Sequence, residues 1–322
     1  QVYRQLLITE MKAHVGELTD RLNTGYFPEV GEVESEVGFY FDFDSDVGGA
    51  IELSVSTLPA AAQSTFDDIS SGKDLVGKIA GNDATGQHKD WTVVGNFKGW
   101  PNAEGVETHT PESLVRAWFA LLDEQSQDWI AGEYPLDPDG AAVESVYITA
   151  EGQDIAQLLQ KFLTGAVTFS QGTDDYLDDA DEGKGLLADN TGPDEDDAFS
   201  ALEHSYDEGF GYFGASRSYD LLTDAENKEG YKDVDGDGAI NLKTEYNYAA
   251  SVNAAKRDLG AEEAGVTLDL TAEAFDALYA GREVIAASSG ALTDDELAEI
   301  QAHRDIAVLA WEKAAAATVV HY

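Results

Sequence analysis

The chain has 322 residues, enough for one large domain or two ordinary ones with ample core. Its 63 acidic residues against 19 basic leave a net charge of −44, a surface that repels nucleic acid and anionic lipid headgroups, so neither is expected as a partner. The sequence holds no cysteine, which excludes disulfides, thiolate metal sites and cysteine nucleophiles.

Val2, Leu6, Met11, Val15, Leu18 and Leu22 recur at helical spacing and predict a helix over 2–23 that ends near Gly25. His14 within it reads as a lone surface or packing histidine. The alternation in Val37–Asp44 and again in Ile51–Ser56 predicts a short β-hairpin near residues 37–57. Asp42, Asp44 and Asp46 repeat a cation-loop spacing, but Gly48 and Gly49 come too late for its turn. A short helix is expected around Lys73–Ile79, with Trp91–Val94 and the Gly99–Pro101 turn in an irregular layer.

Thr110 and Pro111 supply an N-cap and a first-turn proline for a helix whose buried face is Leu114, Trp118, Leu121, Leu122 and Trp129. Ile155, Leu158, Leu159, Phe162, Ala166 and Phe169 form the cleanest apolar stripe, with Gly165–Ala166 expected to admit a close neighbour. The stretch 174–197 is strongly acidic and reads as a solvated connection. Further helices are predicted over Asp194–Phe213, Glu245–Leu259, Thr271–Ser288 and Thr293–Thr318, the last opened by a Thr293–Glu296 capping box. The expected fold is therefore all-α: a multi-helix bundle, taken as a single domain 1–322 with a subdivision conceivable near 174–197.

Two constellations carry chemistry. Asp233, Asp235 and Asp237 stand at positions one, three and five of an EF-hand-like calcium loop. Gly238 supplies the turn at six, Ala239 a backbone carbonyl at seven and Asn241 position nine. Position twelve is Thr244, and the closing carboxylate, Glu245, comes one residue late. These hard oxygen donors point to Ca²⁺, in a structural role, or to an Asp/Gly turn without an ion. The second constellation is His204 with Glu208 one turn on, beside Glu203 and Asp207. It is either the start of a second metal site, for iron or another transition metal, or a buried histidine bridging helices; the second histidine of a His-Glu-x-x-His protease helix is missing. No Gly-x-Ser-x-Gly elbow or phosphate-cradling glycine loop occurs.

Gly152–Val167, Glu203–Gly214 and Gly281-Arg282-x-x-Ile285 together resemble an uncharacterised domain-of-unknown-function family of bacterial surface or periplasmic lipoproteins associated with imelysin-like, iron-regulated proteins. Its central motif reads Glu-His-x-Trp-Asp-Glu-Ala-Phe-Gly-Tyr-Phe; here Tyr206 and Gly209 replace the Trp and Ala. The resemblance implies a helical extracytoplasmic protein linked to iron or metal acquisition. A peptidase-type Gly-x-His-x-x-Glu motif is not reproduced around His204, where Asp207 stands three residues on.

No apolar run reaches the roughly 20 residues of a membrane span, and because Gln1 starts inside a helix an upstream leader or membrane anchor is allowed for. Acid spread along the whole chain suits a saline environment, and a calcium loop suits an exterior rich in that ion, so the expected location is periplasmic, cell-surface or secreted. The leading expectation is a non-enzymatic, calcium-stabilised binding or accessory protein in metal uptake. Its rivals are an imelysin-like metal-dependent hydrolase built on His204 and a structural subunit that self-assembles, or meets a surface partner, through divalent cations.

Overall fold

The computed structural model describes the chain except for Thr92, Val94, residues 100–109, residues 194–196, Ser289 and Tyr322. It is mainly helical, and β structure among the described residues is confined to isolated bridges. The chain forms two compact units, one of Gln1–Gln5, Ser56–Ser64 and Thr168–Tyr322, the other of Leu6–Val55 and Thr65–Val167. The crossings fall after Gln5, Val55, Ser64 and Val167.

In the Leu6–Val167 unit, helices α1 (Val2–Gly16, entering at Leu6), α2 (Leu18–Asn23), α3 (Glu32–Phe41), α5 (Pro111–Ala131) and α6 (Ile155–Leu163) supply the core, and α4 (Ser45–Gly48) is a single turn. Leu6, Met11, Val15, Leu18 and Leu22 are buried, as their spacing predicts. Thr110 caps α5 in a reciprocal box with Ser113.

The hairpin expected near 37–57 does not form. Val33, Val37 and Phe41 fall four residues apart and are all buried, so helical burial outweighs the local β preference of the aromatics. The cap comes from far along the chain: Asp123 of α5 accepts the amides of Gly31 and Val33 at 2.9 and 3.1 Å, satisfying donors that open α3. Residues 51–56 carry one bridge, Glu52 to Thr65, and Glu10 takes the amide of Ser54. Asp42 pairs with Arg116 of α5 and Asp44 caps α4, so two of the three carboxylates in the Asp42/Asp44/Asp46 repeat are engaged in structural contacts. The helix expected at 73–79 is a 3₁₀ turn, Val76–Lys78. The Trp91–Val94 and Gly99–Pro101 features fall partly outside the described residues.

The α6 stripe continues past Leu163 in π-helical form over Thr164–Phe169 and Gly172–Tyr176. Gly165 faces open space, and the close approach is at Gly172, where a Cβ would lie 3.1 Å from the Trp311 ring.

The other unit packs α7 (Ala201–Phe213), α8 (Asp224–Glu229), α9 (Ala249–Glu263), α10 (Leu270–Ala287) and α11 (Asp294–His321) around Leu202, Tyr206, Phe213, Leu278, Ile300 and Trp311. Trp311 sets its edge against Phe169 and Phe213, at 5.1 and 5.4 Å between centroids. The acidic connection is less solvated than expected, because Leu177 and Leu186 are buried in this core. α7 begins at Ala201, later than the predicted Asp194, because Ser200 and Glu203 close a capping box there. α9 begins at Ala249 rather than Glu245, since Tyr246 is held extended in an antiparallel bridge with Tyr231. That delay also removes the exiting helix an EF-hand requires, leaving an Asp/Gly loop closed by a two-residue bridge.

Candidate metal centre

The Asp233–Glu245 segment is assembled from its two glycines outward. Gly236 and Gly238 adopt positive φ, 74° and 90°, which lets the backbone fold tightly enough to turn successive aspartates inward. Asp233 accepts the amides of Gly236 (2.7 Å) and Gly238 (3.1 Å). Asp235 accepts from Asp237, and Asp237 from Ala239. Carboxylate oxygens of Asp233, Asp235 and Asp237 then lie within 4.8 Å of one another. Oxygens about 2.3–2.6 Å from a shared Ca²⁺ stand at most about 5 Å apart, so this donor set fits a hard cation in spacing and in chemistry.

Glu245 does something the loop pattern does not announce. It is buried, and its carboxylate reaches across the loop: Oε1 accepts Val234 N–H at 2.9 Å and Oε2 accepts Asn241 N–H at 2.9 Å. It staples the two arms of the loop together. Asn241 turns its own Oδ1 to Lys243 N–H (3.0 Å) and Gln63 Nε2 (3.3 Å). The loop is tied at Ile240 to the strap Ser56–Ser64, whose Ala60 carbonyl accepts Ile240 N–H (3.0 Å) and whose Ala62 N–H donates to Ile240 C=O (2.9 Å). Gln63 Oε1 takes Leu242 N–H at 2.8 Å. Of the predicted ligands, the structure thus gathers the three aspartates, while Glu245 and Asn241 brace them.

On α7 the four predicted residues divide into two pairs. Glu203 and Asp207 both meet Arg282 of α10, at 2.9 and 2.8 Å. The Ser200 amide hydrogen bond and then the Arg282 charge hold Glu203 below the usual carboxylate range. His204 lies on the surface with Nε2 3.2 Å from Glu208. Burial pushes Glu208 upward, but hydrogen bonds led by that of the Tyr176 hydroxyl, together with nearby positive charge, leave the carboxyl low. His204 also meets the Phe199 ring edge-on at 5.1 Å, and is exposed rather than enclosed between helices.

A third cluster, absent from the sequence reading, surrounds His14. Its Nε2 stands 3.2 Å from both Glu36 and Arg21, Arg21 grips Glu36 through two contacts of 2.8 and 3.1 Å, and Tyr26 donates to Glu36 at 2.7 Å. Burial first, then the Arg21 charge, lowers the His14 imidazole against the pull of Glu36. No local pattern marks this network, since His14 and Glu36 are separated by α2 and a loop.

The family model described as Domain of unknown function (DUF4856) matches residues 106–310. No curated protein and no solved structure matches the chain. No described helix is long and apolar enough to cross a membrane.

Proposed function

The chain belongs to the DUF4856 family, and from that premise we propose that it is a non-enzymatic, calcium-stabilised helical protein acting as a binding or accessory component in metal acquisition. The observation that carries this reading is the convergence of the Asp233, Asp235 and Asp237 carboxylates in a loop stapled by Glu245. A bound Ca²⁺ would neutralise three like charges that otherwise repel at short range. The protein's own part is to hold those oxygens in place and to anchor the Ser56–Ser64 strap on the same loop.

The extracytoplasmic, saline setting is supported by the acidic surface and by the ion supply such a loop requires. The link to imelysin-like lipoproteins rests on the resemblance of Glu203–Gly214 and of Gly152–Val167. A metal-dependent hydrolase on His204 is the weaker reading, because Glu203 and Asp207 are committed to Arg282. A transition metal remains part of the uptake role, with His204 and Glu208 as the pair to test.

The deciding experiment is elemental mass spectrometry on protein purified in high salt, before and after chelation, with the melting temperature followed in parallel. About one calcium per chain, removed by chelator with a fall in melting temperature and absent in Asp235→Ala, is the expected outcome. Calcium content unchanged in Asp235→Ala, or no calcium at all, overturns the loop site. A second metal that vanishes in His204→Ala supports uptake or hydrolysis; iron, haem and other transition metals all failing to bind would remove the uptake role.

A further inference from the structure

Neither the metal centre nor the α7 cluster uses the end of α5 and the loop that runs beside it. Asn23, at the end of α2, accepts a hydrogen bond from Trp129 Nε1 at 3.0 Å, and the Pro28 carbonyl accepts one from Gln127 Nε2 at 3.2 Å. These contacts lay the loop 24–31 along the last turns of α5. Trp129 itself is buried and carries the Tyr134 ring edge-on at 4.6 Å. Over this floor the chain leaves large apolar side chains in water: Phe27 is 72% exposed and Val30 84%, with Ile130, Tyr134 and Leu136 also exposed. Single exposed apolar residues are ordinary, whereas here Phe27 and Val30 stand on the loop that these bonds hold to α5, Ile130 follows the buried indole and Tyr134 packs on it, an apolar grouping of the kind that marks an interaction surface.

Its charge is equally one-sided. Residues 22–31 and 127–136, the loop and the helix end that build this face, contain no Lys or Arg, and the neighbouring Arg21 is engaged by Glu36. Glu29, Glu32, Glu124, Asp128 and Glu133 are all exposed around it, and none is in an ion pair with a described residue. A hydration role accounts for the acid but not for the apolar centre that it surrounds. An apolar centre inside a ring of unpaired carboxylates is complementary to a surface of opposite rim charge. A second copy of this chain would bring carboxylate against carboxylate.

We propose that this face docks a basic amphipathic segment of a partner protein. The partner's apolar side chains seat between Phe27 and Val30 on one side and Ile130 and Tyr134 on the other, and its Lys or Arg residues meet the Glu29–Glu133 rim. The assignment is independent of the calcium loop, which belongs to the other unit.

The test uses the full chain and a synthetic amphipathic Leu/Lys helix of about 18 residues, alongside a permuted peptide of the same composition with no apolar face. Calorimetric titrations at about 0.1 M and about 1 M NaCl separate charge from burial. The expected result is saturable binding of the amphipathic peptide that survives high salt, with at least ~10-fold weaker binding in Phe27→Ser/Ile130→Ser. Both replaced side chains are exposed, and circular dichroism checks that the helices persist. Equal affinity for the permuted peptide, or unchanged affinity in the double variant, means general adsorption to an acidic surface and overturns the proposal. Self-association of the wild-type chain that the double variant abolishes assigns the face to a second copy and overturns it equally.

Discussion

Glu245 shows how one residue's role changes once its surroundings are known. Counted along the loop, it is a calcium ligand displaced by one position; in the fold, it is a buried carboxylate receiving amides from Val234 on one arm and Asn241 on the other. The two roles predict different behaviour. A staple matters before any ion arrives, because losing a charged acceptor leaves two partly buried N–H groups without their protein partner, at a cost toward the lower end of about 1–3 kcal/mol. Glu245→Gln keeps the size but presents an amide donor to one of the two N–H groups. It should lower the unfolding free energy obtained from urea titration in calcium-free buffer by an amount in that range. If Glu245 acted only through the ion, chelated wild type and chelated Glu245→Gln would unfold together.

At the scale of elements, the His14 network joins α1, α2, the 24–31 loop and α3 through one titrating imidazole. Burial and the Arg21 charge set the His14 pKa below its ordinary value of 6.5 in the folded state. The unfolded chain therefore binds more protons in the window just below 6.5, and stability falls as pH drops through it, the loss being complete below the folded pKa. His14→Gln removes the titration. Denaturation midpoints at about pH 5 and pH 7.5 should converge in His14→Gln relative to wild type; an equally steep decline in both proteins would assign the acid sensitivity elsewhere. This network also marks what sequence reading reaches. Helices whose signals are local were legible: the Thr110 cap and the Thr293–Glu296 box stand where spacing put them, and α6 buries Ile155 and Leu159 of its predicted stripe before π-helical turns take over after Leu163. The α3 segment was misread as strand because its cap is Asp123, supplied from α5, and the start of α9 was misplaced because Tyr246 pairs with Tyr231. The three aspartates of the loop were legible from their alternate spacing, whereas the bracing by Glu245, Gln63 and the Ser56–Ser64 strap depends on contacts between distant parts of the chain.

At the scale of the whole molecule, the charge of −44 is a term that solvent can change directly. Like charges on a folded surface repel one another more than in the expanded chain, so the acidic surface opposes folding in dilute buffer. Raising ionic strength from about 0.1 M to about 1 M shortens the screening length from about 10 Å to about 3 Å, below the separation of most surface carboxylates. Arginine pairs such as Arg282 with Glu203 and Asp207 also weaken in salt, but basic residues number 19 against 63 acidic, so relief of repulsion dominates. The urea midpoint should therefore rise between those two NaCl concentrations, measured in chelator so that the loop contributes no ion-specific term. A midpoint that is flat or falls with NaCl would mean that the carboxylates are already compensated in the fold. Calcium added at constant ionic strength then separates the two effects: a further rise abolished by Asp235→Ala belongs to the loop, and a rise that persists in that variant belongs to the surface as a whole.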